Sequence, residues 1–231
     1  MQLAPRAQLL DITHDIPPQD LVAGAWTLAE AVRWLPPQTI VVAVVDPGVG
    51  TSRHLLAARA DQHWVIGPDN GLLALVLDRA SRRSIVRLEN RRGWLPTVSG
   101  TFHGRDIMAP VAARLALGRS LAWFGPSVTT YERLAWPVPI HRANRIEGRV
   151  MILDHFGNAI TNLPGAMVRR PRQRLFVHRK RVRVVSSYEE GLPGELIAMI
   201  GSSGLLECAV RNGSAAALHQ IQRGDRVSIV A

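Results

Sequence analysis

Two short segments carry the residue types from which a water-handling site can be built. Residues 46–53 read DPGVGTSR and residues 101–106 read TFHGRD. Each sets ionisable side chains in a loop rich in small residues, where a backbone can come close to a ligand. Together they supply a carboxylate (Asp46), a guanidinium (Arg53) and an imidazole (His103). Such a set can hold and activate a water molecule. On spacing alone, a structural Asp46–Arg53 pair across a tight turn accounts for the first segment equally well, and a satisfied loop histidine for the second. Arg105 and Asp106 read as a mutual pair or a helix cap.

Four further segments have chemical content. PDNG at 68–71 is a turn signal, with Asp69 and Asn70 as expected caps of the next helix. DITHDIPPQD at 11–20 is dense in acids around His14, but its spacing matches no standard zinc or calcium site. DHFGNAITN at 154–162 offers Asp154 and the amides of Asn158 and Asn162 around a turn. GSSG at 201–204 is a small-residue loop before LLECAV, which places the acid Glu207 in an apolar run. Ordinary turn chemistry and the fixing of a polar ligand group are both open for the last two.

The elements that must position these residues fall into two groups. Residues 8–12, 39–45, 63–66 and 84–88 read as strands, and residues 39–45 (TIVVAVV) as one buried on both faces. Residues 20–34, 70–80 and 107–117 read as helices, the first capped by Asp20 and halted by Pro36 and Pro37. This alternation predicts an α/β fold with a mostly parallel sheet flanked by helices, over residues 1–140. Residues 141–148 read as a linker. Short β-type runs at 149–153, 174–177, 182–185, 195–200 and 226–230 then predict a small antiparallel β-barrel or sandwich over 149–231.

Composition narrows the function classes. A chain of 231 residues with 47% hydrophobic content can bury one large core or two smaller ones. No apolar run approaches the roughly 18 residues that span a bilayer, and the start lacks a signal pattern, so the sequence reads as a soluble cytoplasmic protein. The single cysteine, Cys208, excludes an internal disulfide and reads as a small buried hydrophobe. The net charge of +10 comes almost entirely from arginine. Its densest run is residues 169–183, whose second half, LFVHRKRVRVV, alternates apolar and basic residues as an exposed strand does, and aromatics are too sparse there for a base-stacking platform. Nucleic-acid binding is therefore a minor reading.

In order along the chain, DITHDIPPQD, VVDPGVGTSR, GPDNGLL, TFHGRDIMAPVAARLALG, ILDHFGNAITN, SSGLLECAV and GDRVSIV resemble the S-adenosyl-L-methionine (SAM) hydroxide adenosyltransferases. These SAM hydrolases are relatives of the fluorinase and chlorinase. Each segment alone is weak; the ordered set is specific and spans nearly the whole chain. The resemblance implies an N-terminal α/β domain, a C-terminal β-barrel domain and a homotrimer with sites between subunits. It implies Asp46, Arg53 and His103 as the catalytic triad. It implies Asp154, Asn158, Ser202, Glu207 and the backbone of Val210 as binding groups for adenosine or methionine. SAM is then the substrate, adenosine and L-methionine the products, with no cofactor and no metal. In the halogenase relatives the position of Asp46 is Tyr and the TFHG segment carries Tyr-Ser, so the present residues favour water over halide. Family members also carry a TDFG strand and a following helix, with an acid for the ribose hydroxyls. QLAPRAQLLDITHD matches the segment after that helix, so this part has no counterpart here. That absence makes a non-catalytic adenosine- or SAM-binding protein the alternative; a halide-using enzyme is less favoured.

Overall fold

The computed structural model describes residues 3–168 and 173–230. The chain divides into two compact units, Met1–Leu134 and Ala135–Ala231.

In the first unit, α1 spans Leu21–Val32. The Asp20 carboxylate accepts from the backbone N–H of Val22 and Ala23 at 3.1 and 3.0 Å, which satisfies two of the free donors of the first turn. Five strands follow, β1 (Ile40–Val42), β2 (Leu55–Ala60), β3 (His63–Pro68), β4 (Arg83–Arg87) and β5 (Ser127–Val128), in the order β1-β3-β2-β4-β5. Helices α2 (Ala74–Arg79) and α3 (Ala109–Ala116) complete the unit. Strand β2 shows how the sheet is covered. Leu56, Ala58 and Ala60 pack with Leu28 and Val32 of α1 and Leu77 of α2. Leu55 and Ala57 face the other way, onto Ile107, Met108, Val111 and Phe124. Period-two alternation thus buries a layer of helix on each face.

The expected α/β class holds, but the sheet is mixed rather than mostly parallel. Among the described strands of this sheet the β1–β3 pairing alone is parallel; β2–β3, β2–β4 and β4–β5 are antiparallel. The reason is β2, whose sequence LLAARA lacks β-branched residues and gives no strand signal. It is joined to β3 by a tight turn at Asp61, which takes a positive φ of 50°. Residues 8–12 form no strand: Leu9 and Leu10 are 73% and 74% exposed. Apolar content favours an extended chain, but a strand also needs a neighbour to take its backbone groups. Strand β1 is correspondingly an edge strand, with Val42 and Val44 exposed, not one buried on both faces.

The second unit is a β-barrel. Its strands are β6 (Ile140–Arg142), β7 (Arg145–Leu153), β8 (Ala159–Pro164), β9 (Arg174–Val177), β10 (Lys180–Val184), β11 (Ile197–Ile200), β12 (Leu205–Ala209) and β13 (Arg226–Val230). The order β13-β9-β10-β11-β12-β8-β7 closes through a β13–β7 pairing, and β6 is a short hairpin arm on β7. Residues 141–148 therefore lie in a hairpin and not in a linker. The barrel is mixed rather than purely antiparallel, because β10 and β11 run parallel across the long connection 185–196. Val150, Leu163, Leu175, Val177, Val182, Leu206, Cys208, Val227 and Ile229 fill its core. The basic run 169–183 behaves as its alternation implies from Gln173 onward, with Arg174, Arg181 and Arg183 exposed and Leu175, Val177 and Val182 buried. Its residues 169–172 lie outside the described part. Helix α4 (Ala215–His219) is capped by Ser214, whose hydroxyl accepts from Ala217 N–H.

Phe124 is the largest of the fully buried side chains and closes one core of the first unit. Phe124→Ala is expected to cost about 3–5 kcal/mol. Urea unfolding reads this as a lower midpoint at unchanged slope; a loss below about 1 kcal/mol would show that this core collapses freely around the gap.

Candidate active site

Strand direction gathers the site. β1 and β3 run parallel and β2 runs against them, with Leu55 opposite Pro68. The segment after β1 (Asp46), the one before β2 (Arg53) and the one after β3 (Asn70) therefore emerge at one end of the sheet. This is the carboxyl end of the parallel pair, the usual place for ligands in such folds.

Small residues then close the loops on each other. Gly50 has φ +80°, and a Cβ there would come within 2.4 Å of the Gly100 carbonyl oxygen. The chain bearing Asp46 and Arg53 thus lies directly against the chain leading to His103. At Gly104 a Cβ would meet Val44 at 3.3 Å, so the start of the next element also sits against the chain just past β1. That element opens with a π-helical turn, Gly104–Met108, before α3. Such turns are rare and recur at functional sites. Asp106, buried in it, accepts from Ser99 N–H at 2.8 Å and takes the Arg105 guanidinium on both oxygens. The expected Arg105–Asp106 pair is thus present, and it orders residues 99–106.

Asp46, Arg53 and His103 come together. Arg53 Nε donates to Asp46 Oδ1 at 2.6 Å, and Arg53 Nη2 donates to Asp46 Oδ2. The pair is well buried, with the Arg53 and Asp46 side chains 10% and 5% exposed. Fork-on-carboxylate geometry gives such a pair its direction as well as its strength. The same Nη2 lies 3.0 Å from His103 Nδ1. A guanidinium has no acceptor and does not lose its proton, so Nδ1 must accept and the ring proton must sit on Nε2. Burial and the Arg53 charge both hold His103 below the usual imidazole value of 6.5, more than the Asp46 and Asp106 charges raise it. The neutral ring thus offers one free N–H. Of the three groups, the Asp46 carboxylate alone retains spare acceptor capacity. A cavity of about 580 Å³ borders Asp46 and is lined further by Ile12, Ile16, Thr27, Val42 and Val44.

In the second unit the other sequence-expected residues cluster around the β7–β8 turn and the β11–β12 loop. The Asp154 carboxylate accepts from Phe156 N–H, Asn158 N–H and the Asn158 amide at 2.9, 2.8 and 3.0 Å. Glu207, on β12, is buried, and burial together with the Asp154 charge raises its pKa. Ser202 is exposed at the β11–β12 turn, beside Gly201, where a Cβ would touch Glu207 Oε2 at 2.6 Å. Val210 is buried just past β12 in a bridge with Gly213. The sequence reading missed Tyr188, whose hydroxyl donates to Glu207 Oε1 at 2.6 Å. Burial and that carboxylate raise its own pKa. No pattern in SSYEE marks it. Asn70 was expected to cap α2, but Leu73 stands at that cap with no side-chain bond. The Asn70 amide reaches instead to Val45.

The chain is thus a two-unit protein, an α/β unit with a carboxylate, guanidinium and imidazole at the carboxyl end of its parallel strand pair, followed by a closed β-barrel. Residues 1–125 match the SAM hydroxide adenosyltransferase N-terminal domain and residues 148–228 the C-terminal domain, so the chain belongs to the SAM hydroxide adenosyltransferase family. It is 43% identical to an (R)-S-adenosyl-L-methionine hydrolase of Salinispora tropica over 237 residues, covering 100% of this chain and 89% of the relative. It is 25% identical to a fluorinase of Actinoplanes over 190 residues, covering 71% and 64%. An uncharacterised conserved protein from Thermotoga maritima has the same fold, with a TM-score of 0.91 at 34% identity, covering 100% and 91% of the two chains.

The His103 environment makes a direct prediction. Its imidazole is expected to titrate below the usual 6.5 when followed by NMR in the ligand-free protein, because burial and the Arg53 charge both disfavour the imidazolium. Arg53→Gln removes the lowering charge while Asp46 remains, so the titration moves upward. An unchanged titration in Arg53→Gln would separate His103 from Arg53.

Proposed function

We propose that this protein hydrolyses S-adenosyl-L-methionine, in the (R) form named for its relatives, to adenosine and L-methionine. The observation that carries the proposal is the contact of Asp46, Arg53 and His103. Water attacks C5′ of the ribose as the C5′–S bond breaks. The electron pair of that bond passes to sulfur, and the sulfonium becomes the neutral thioether of methionine. The leaving group therefore needs no acid, and the difficulty lies in presenting a weak nucleophile in line with the bond. Positioning alone can supply about 7–11 kcal/mol of such a barrier.

The roles follow from donor and acceptor counts. Asp46 takes the proton from water, since Arg53 has no acceptor and His103 Nδ1 is engaged. His103 donates its Nε2–H to the water oxygen and so fixes its direction. Arg53 holds both partners and stabilises the developing hydroxide. Halide is the poorer nucleophile here, because the Asp46 charge repels an anion that has shed its water. Asp154, Asn158, Ser202, Glu207 and the Val210 backbone are proposed to hold the adenosine and methionine parts. The homotrimer implied by the resemblance is the proposed assembly, and a sedimentation mass of a single chain would count against it. No helix among the described residues is long and apolar enough to cross a membrane.

The direct test is incubation of the purified chain with SAM and chromatography for adenosine and methionine. Adenosine in step with methionine is expected. Binding of SAM with no product would instead make this a non-catalytic SAM-binding protein. Asp46→Ala and His103→Ala are expected to lower kcat by about 10²–10⁴-fold with far smaller changes in KM. Equal losses in binding and turnover would remove them from the water-handling role.

A further inference from the structure

The turn after β3 grips both ends of the Asp46–Arg53 pair. Asn70 Nδ2 donates to the carbonyl of Val45, the residue before Asp46, at 2.9 Å. Asp69 N–H donates to the carbonyl of His54, the residue after Arg53, at 2.9 Å. Two consecutive turn residues thus hold the chain flanking the carboxylate and the chain flanking the guanidinium. The turn is itself anchored. Asp69 Oδ1 accepts from Glu132 N–H at 2.8 Å, and Leu72 and Leu73 just beyond it are buried.

The Val45 tie falls where the sheet stops helping. Register between β1 and β3 ends at Val42 opposite Ile66, and Ala43 N–H adds one last bond to Ile66. Past Ala43 the chain carries its carboxylate away from the ladder, and the Asn70 side chain takes over two residues further on, at Val45. Both ends of that amide are in use, because Oδ1 accepts from Leu72 N–H at 3.1 Å. A carboxamide donates from its nitrogen and accepts at its oxygen at once, whereas the isosteric carboxylate can only accept unless it is protonated.

We propose that Asn70 is a positioning residue that sets where Asp46 stands relative to Arg53 and His103, by holding the Val45 carbonyl to the β3 turn. It touches none of the reacting atoms. The inference rests on the triad reading above, and it adds a residue whose role no sequence pattern assigns. Displacement of a reacting group by about 1 Å can cost on the order of 10²-fold in rate, so a tie one residue from the carboxylate matters for turnover more than for binding.

Two variants and two readouts test it. Asn70→Ala removes the donor. Asn70→Asp keeps the shape and the bond from Leu72 but cannot donate to Val45 unless protonated. Both are expected to lower kcat by about 10–100-fold with KM nearly unchanged. The Asn70→Asp deficit relative to wild type is expected to shrink as pH falls and the acid regains its proton. Turnover matching wild type in Asn70→Asp, which preserves the packing even where Asn70→Ala unfolds, overturns the proposal. The second readout needs no activity. The His103 imidazole, identified by its loss in His103→Gln, is expected to titrate closer to 6.5 in Asn70→Asp than in wild type, as the triad loosens. An unchanged titration also overturns the proposal. A wild-type chain that makes no adenosine sinks the hydrolase reading, and the titration still decides the role of Asn70.

Discussion

A carboxylate taken out of water must be met by a cation with matched donors, and the site is organised around that need. Breaking a buried pair by removing one partner typically costs about 3–5 kcal/mol, because the other charge is stranded. Asp46 and Arg53 therefore cannot drift apart independently, although six residues of glycine-rich loop separate them. The loop is flexible by composition and fixed by electrostatics. His103 is fixed in turn, since the same guanidinium nitrogen that serves Asp46 also reaches its ring. One side chain thereby sets the place of one partner and the protonation state of the other.

The second unit meets the same need differently. Glu207 is buried beside Asp154, and the hydrogen bond it receives comes from a neutral phenol. Burial and the Asp154 charge raise the pKa of Glu207, against the lowering effect of the Tyr188 bond. Asp154 is settled by three N–H donors from its own turn. The two units thus present carboxylates of different character: one neutralised by a guanidinium, one held by amides, one desolvated.

Much of this was legible in the residues. Asp20 announced α1 and the alternation in the basic run announced β9 and β10, whereas the two loop segments left turn and site equally open, and only the family resemblance grouped Asp46, Arg53 and His103, which the structure brings into contact. What escaped had physical reasons. LLAARA buries a face through alanines, which carry no β-propensity, so β2 was invisible and the sheet read as parallel. Residues 8–12 had the composition of a strand without a partner to pair with. The Asn70 tie is a contact across 25 positions between a turn and a carbonyl. A local pattern can show that an asparagine favours a turn, but not which distant backbone group its amide will meet.

The π-helical turn at Gly104–Met108 has a consequence for which changes of length the chain can tolerate. A π turn is an α-helix carrying one residue too many, and each residue advances the helix by about 100°. Deleting any single position within 104–108 would let α3 continue as a regular helix, with the gain in backbone regularity that this brings. It would also rotate His103 by that same angle about the axis, away from Arg53. Local helical order and the aim of the imidazole are thus set against each other at this one place. The extra residue is the means by which a helix anchored in the core by Ile107, Met108 and Val111 can still deliver a histidine to the Arg53 guanidinium.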